Sequence, residues 1–118
     1  MSPIEGHHLI ADLAGCSGLD DAARIQRCLV DAARAAGATV LEVRLHKFGG
    51  GMGVTGVALL AESHISIHTW PEHGTACIDI FMCGTTHSLD AALTVIATAL
   101  TGTVQTRTLL ARRYGAVA

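Results

Sequence analysis

The apolar positions of the chain follow two periods. Between Asp20 and Ala36 the residues Ala22, Ile25, Leu29, Ala32 and Ala36 recur at helical spacing, and Gly37 stops the run. Ser88–Leu100 reads the same way, with Ser88 as a candidate N-cap. Elsewhere the period is two, or the apolar run is short. His7–Ala14, Ala38–Phe48 (with Val40, Leu41, Val43 and Leu45), Val54–Ala61, a segment around Ile65 and Ile67 that ends at Pro71, Thr75–Cys83 and Val104–Leu110 are predicted strands. The triplet Gly49-Gly50-Gly51 is a mobile turn, and a frayed tail is expected from Arg112 onward. This order of elements predicts an α+β fold, a two-layer sandwich of one antiparallel sheet with two helices on one face.

Strand parity then sorts the side chains, because neighbours along a strand point to opposite faces. Ala76, Ile78, Ile80 and Met82 suit a helix-covered core, which leaves Thr75, Cys77, Asp79, Phe81 and Cys83 on the other side. Ile65 and Ile67 share the core side, and His64, Ser66, His68 and Trp70 oppose them. A face of His, Cys, Asp, Ser and aromatic residues that is partly apolar needs a cover. A second copy of the chain is the economical one, so a homodimer with its sites near the interface is expected.

Composition narrows the partners. The 118 residues, half of them apolar, suffice for one domain, residues 1–118. With 15% charged residues and a net charge of −2 there is no broad basic surface for nucleic acid or an anionic membrane. The longest apolar stretches, such as Val54–Ala61 and Ala91–Leu100, are interrupted by Gly or Thr and fall short of a bilayer span. No basic segment followed by an apolar core opens the chain, so a cytoplasmic protein is expected. Cys16, Cys28, Cys77 and Cys83 form no C-x-x-C pair and are read as thiols.

The run Glu62-Ser63-His64-Ile65-Ser66-Ile67-His68-Thr69-Trp70-Pro71-Glu72, followed by Asp79-Ile80-Phe81-Met82-Cys83-Gly84, resembles the prokaryotic S-adenosylmethionine decarboxylase family, whose members are self-cleaving proenzymes. Looser matches run from Gly6-His7-His8-Leu9 through Asp12, Gly15-Cys16, Gly37-Ala38, His46-Lys47-Phe48 and Gly53-Val54-Thr55-Gly56. The resemblance implies that Ser63 attacks the Glu62 carbonyl and that the chain splits into residues 1–62 and 63–118. Ser63 then becomes a pyruvoyl group that forms a Schiff base with an amino-acid-type substrate, with no external cofactor. It also implies that His68 serves processing, with Thr55 (where the family usually has serine) and Glu62 in support. Cys83 matches the proton donor, Glu72 a ligand of ribose hydroxyls, and Phe48 and Trp70 pack on the adenine or the sulfonium. The implied reaction makes decarboxylated S-adenosylmethionine, the aminopropyl donor for spermidine in polyamine biosynthesis.

The sequence departs from the family at Gly49-Gly50-Gly51-Met52, one residue longer and lacking a usual proline, and at Thr75, where a bulky residue is expected. Because some members act on L-arginine or L-ornithine, these substrates are the first alternative. The second is an unprocessed, non-catalytic homodimeric binding protein. Residue by residue, bland readings compete: Ser63 as a strand serine, Phe48 and Trp70 as core, Cys83 as a small buried hydrophobe. His64, His68 and Cys83 as metal ligands are a weaker third reading, and the assignment itself names no metal site. His7, His8 and His73 are read as exposed or packed, and Asp79 as orienting a histidine or satisfying a buried donor.

Overall fold

The computed structural model describes residues 4–114 of the chain. Six strands form one sheet: β1 (Ile4–Ala14), β2 (Val40–Lys47), β3 (Val54–Leu60), β4 (Ser63–Trp70), β5 (Thr75–Cys83) and β6 (Thr103–Tyr114). They lie in the order β2-β3-β4-β5-β1-β6, and every neighbouring pair is antiparallel. Helices α1 (Ala22–Ala35) and α2 (Leu89–Ala99) cover one face, giving the expected α+β two-layer sandwich. No helix among the described residues is long and apolar enough to cross a membrane.

Local chemistry accounts for both helices. The Asp21 carboxylate accepts the Arg24 N–H and the Ser88 hydroxyl accepts the Ala91 N–H, so each side chain satisfies a donor that the first helical turn leaves free. Ile25, Leu29 and Ala32 of α1, with Leu93 and Ile96 of α2, pack on Leu9, Leu13, Ile65, Ile67, Ile78 and Ile80 of the sheet. The remaining parity set, including His64, His68, Asp79 and Phe81, falls on the uncovered face, as the alternation predicts.

One expectation is corrected. The chain does not fray from Arg112: β6 runs on to Tyr114, paired with the first residues of β1 in the register Glu5↔Arg113 and Gly6↔Arg112. β1 itself starts at Ile4 rather than His7. The extra length is anchored by side chains, with Arg113 Nε donating to Glu5 at 3.1 Å and the Arg112 guanidinium 4.7 Å above the Phe81 ring. Any tail beyond Tyr114 lies outside the described residues.

Between β3 and β4 the backbones come close. The Thr69 hydroxyl is buried, donates to the Leu19 carbonyl at 2.7 Å and accepts the Val54 N–H at 2.8 Å. A Cβ on Gly53 would sit 1.9 Å from the Thr69 carbonyl oxygen, a contact that forces the backbones apart. Gly53→Ala is therefore expected to cost about 1–3 kcal/mol, the usual range for overpacking a filled site. A urea titration with a lower midpoint and unchanged slope would register it.

Candidate active site

β3 and β4 are joined by the two-residue turn Ala61–Glu62, since Leu60 pairs with Ser63. The turn delivers Ser63 with φ at 153°, a conformation sparsely populated by any residue but glycine, which costs about 1–3 kcal/mol and persists only where neighbours enforce it. They do. The Glu62 carbonyl accepts the Cys83 N–H at 2.9 Å. The Glu62 carboxylate accepts the Thr39 N–H at 2.9 Å and has His87 Nε2 3.6 Å away. The peptide between residues 62 and 63 is thus held on both sides, with a donor already on the carbonyl oxygen and a hydroxyl beside the carbonyl carbon.

At the far end of β4 stands a second group. Phe48, Met52, Gly53, Thr55, His68, Thr69, Trp70 and Glu72 line a pocket of about 230 Å³. Thr55 and His68 are cross-strand partners, their Oγ1 and Nδ1 atoms 3.2 Å apart. His68 and Trp70 are tilted rings with centroids 6.3 Å apart. Glu72 projects from the short 3₁₀ turn Pro71–His73 that follows β4. Five of the residues singled out in the sequence therefore converge on one pocket, while Glu62, Ser63 and Cys83 converge elsewhere. Ser63 and His68 are five residues apart on a strand, about 16 Å at the usual rise. His64 and His68 are about 13 Å apart by the same measure, so with Cys83 they share no ligand position. Among the described residues no group of three or more His, Cys, Asp or Glu is placed to hold an ion.

Several side chains around Ser63 were given no catalytic role by the motif. His8, half of a histidine pair read as exposed or packed, has its Nε2 2.6 Å from Asp79 Oδ1, and His64 Nε2 approaches the same oxygen at 3.5 Å. The Asp79 carboxylate thus faces two histidine rings. Tyr114 lies near Gly6 and packs its ring on Phe81. Its enclosed hydroxyl lacks a hydrogen bond of ordinary geometry, and the neighbouring Cys83 thiol pushes its pKa up. Strand parity alone could have grouped His8 with Asp79, but nothing local pointed to Arg112, Tyr114 or His87.

The cysteines remain free thiols with distinct surroundings. Burial pushes Cys28 up to about 12, with Asp31 adding to it. Burial and then Asp12 push Cys77 up to about 11. Cys83 is exposed.

Residues 7–113 match the family model described as S-adenosylmethionine decarboxylase. A Halalkalibacterium halodurans protein named S-adenosylmethionine decarboxylase proenzyme 2 is 43% identical over 114 residues, covering 95% of this chain and 89% of that one. A Methanococcus maripaludis S-adenosylmethionine decarboxylase proenzyme is 57% identical over 81 residues, 67% of this chain and 66% of that protein, so the match spans just under two thirds of its length. The crystal structure of the adenosylmethionine decarboxylase from Aquifex aeolicus VF5 superposes with a TM-score of 0.80 at 35% identity, covering 99% of this chain and 96% of that one. Fold and matches place the chain among proteins named as decarboxylases. More narrowly, it belongs to the S-adenosylmethionine decarboxylase family.

Alkylation should separate the thiols. At pH 8 a thiol with a pKa of about 11 is ionised to only about one part in a thousand, and the thiolate is the reactive form. Iodoacetamide is expected to modify Cys83 first and to leave Cys28 and Cys77 unmodified over the same interval, with Cys77 labelling faster as the pH rises toward 11; peptide mass spectrometry reads the order.

Proposed function

We propose that the chain cuts itself between Glu62 and Ser63 and then decarboxylates S-adenosylmethionine, supplying the aminopropyl donor of polyamine biosynthesis. The observation that carries this reading is the Glu62 carbonyl held by the Cys83 N–H next to a serine in a strained conformation. The Ser63 hydroxyl attacks that carbonyl carbon and turns the peptide into an ester. Elimination frees the Glu62 carboxylate, and hydrolysis with loss of ammonia leaves a pyruvoyl group at residue 63, on a chain separate from residues 1–62. That group supplies the electron-withdrawing carbonyl that takes up charge as carbon dioxide departs.

The chain's other residues serve binding and proton delivery. Phe48 and Trp70 offer aromatic faces to a sulfonium or an adenine, and Glu72 accepts from ribose hydroxyls. The exposed Cys83 thiol, next to residue 63, delivers a proton to the carbon that lost its carboxylate. The glycine turn between β2 and β3 borders the nucleoside end: Gly49, Gly50 and Gly51 all have positive φ, and Phe48 beside them is exposed.

The 16 Å between the two groups supports a homodimer. Ile10, Leu59 and Leu110 are 42–45% exposed on the uncovered face, an apolar surface that self-association would bury. In an isologous, face-to-face pair a second copy's Thr55, His68, Trp70 and Glu72 meet the first copy's Ser63 and Cys83. His68 then acts as the base for elimination at residue 63, and Thr55 assists the acyl shift.

Intact mass measurement is expected to give two fragments split before residue 63, with pyruvate opening the second, and Ser63→Ala a single uncut chain. Decarboxylation assays with S-adenosylmethionine, L-ornithine and L-arginine in parallel are expected to favour the first. A wild-type chain that stays whole for days would favour the non-catalytic binding protein instead. Cys83→Ala should still be cut, since its N–H remains, but turn over about 10²-fold more slowly. Mixing provides the test of pairing: a His68→Ala chain should stay uncut alone and be cut when refolded with Ser63→Ala chains, and no cut in the mixture would refute the shared site.

A further inference from the structure

A line of hydrogen-bonding groups crosses four strands and ends on the Ser63 hydroxyl. Ser63 Oγ lies 3.3 Å from His64 Nδ1, and His64 Nε2 lies 3.5 Å from Asp79 Oδ1. His8 Nε2 reaches the same carboxylate oxygen at 2.6 Å, and Arg112 NH1 stands 3.3 Å from His8 Nδ1. Strand register produces the line: His64 pairs with Phe81, Phe81 with His8, and His8 with Leu110, so His64, His8 and Arg112 stand on one face around Asp79 and Phe81.

One set of tautomers satisfies every member. Arg112 has only protons to give, so His8 Nδ1 accepts and its Nε2–H donates to Asp79. His64 likewise turns its Nε2–H to Asp79, which leaves Nδ1 as an acceptor aimed at the serine. The order nucleophile, imidazole, carboxylate is the arrangement by which a hydroxyl is activated in acyl transfer. The second histidine and the guanidinium fix the carboxylate, and Arg112 is itself fixed over the Phe81 ring.

We infer that His64 is a further catalytic residue of the self-cleavage, shuttling a proton during the acyl shift, and that Asp79 and His8 are positioning residues that hold it. The inference rests on the cleavage reading above and assigns a step that His68, at the other end of the strand, does not reach within one chain. The step balances. The Ser63 Oγ–H proton passes to His64 Nδ1 while the oxygen lone pair forms the bond to the Glu62 carbonyl carbon. The carbonyl π pair moves onto the oxygen held by the Cys83 N–H. When that pair returns, the C–N bond breaks and His64 Nδ1–H gives its proton to the departing nitrogen, leaving an ester, a free amine and His64 as it began. The Asp79 carboxylate offsets the transient imidazolium charge.

The test follows freshly translated chains by denaturing gel, with and without hydroxylamine, which cleaves the ester but not the peptide. His64→Ala is expected to slow ester formation by roughly 10²-fold, the usual worth of a general base, with no hydroxylamine-sensitive species building up and with partial rescue by added imidazole. His64→Asn keeps a polar group beside the hydroxyl without its proton chemistry and should be equally slow. Fast cleavage by this variant would reduce the role to hydrogen-bond placement and overturn the inference. Asp79→Asn removes the anion that offsets the transient imidazolium charge, so it should slow ester formation several-fold, and Asp79→Glu, which keeps the charge, should recover part of that rate. A His64→Ala chain that cuts at the wild-type rate, or that accumulates ester, would overturn the proposal. A wild-type chain that never cuts would overturn the cleavage reading on which it stands.

Discussion

Helices α1 and α2 seal one face of the sheet, and that burial dictates the register of the strands beneath them. Strand side chains alternate with a period of two, so a slip of one residue in β4 would expel Ile65 and Ile67 from the core and drive His64 and His68 into it. The core admits one register. That register pairs Ser63 with Met82, brings the Cys83 N–H onto the Glu62 carbonyl, and lines up His8, His64 and Asp79 across three strands. The chemistry of the open face follows from the packing of the other.

The same alternation made much of the fold legible in the sequence. Ala76, Ile78, Ile80 and Met82 announced a covered face, Gly37 and Ser88 marked a helix end and a helix start, and the pattern needed no knowledge of distant partners. The end of β6 was hidden for the opposite reason. Its last residues carry two arginines and little apolar pattern, and they are ordered by pairing with Glu5 and Gly6, more than a hundred residues away in sequence.

The site divides along the same line. Phe48, Thr55, His68, Trp70 and Glu72 could be selected by motif and do share a pocket. Their distance from Ser63 was invisible in a motif eleven residues long, because a strand stretches five residues over about 16 Å where a helix would have kept them within two turns. Arg112 and Tyr114 could not be selected at all, since their partners His8 and Phe81 are fixed by sheet order rather than by local sequence.

The separation along β4 has an evolutionary consequence. A turn pinned by backbone bonds to Cys83 and Thr39 and a pocket lined by Phe48, Met52 and Gly53, next to a run of three glycines, sit at opposite ends of the β3–β4 hairpin of one chain and are built from different residues. Variation in the glycine turn reshapes what the pocket admits while the strained peptide at the other end keeps its surroundings. On the proposed reading, the residues that would make the reactive group and those that choose the molecule it acts on can change separately, so substrate preference can drift in a lineage that keeps the same cleavage site.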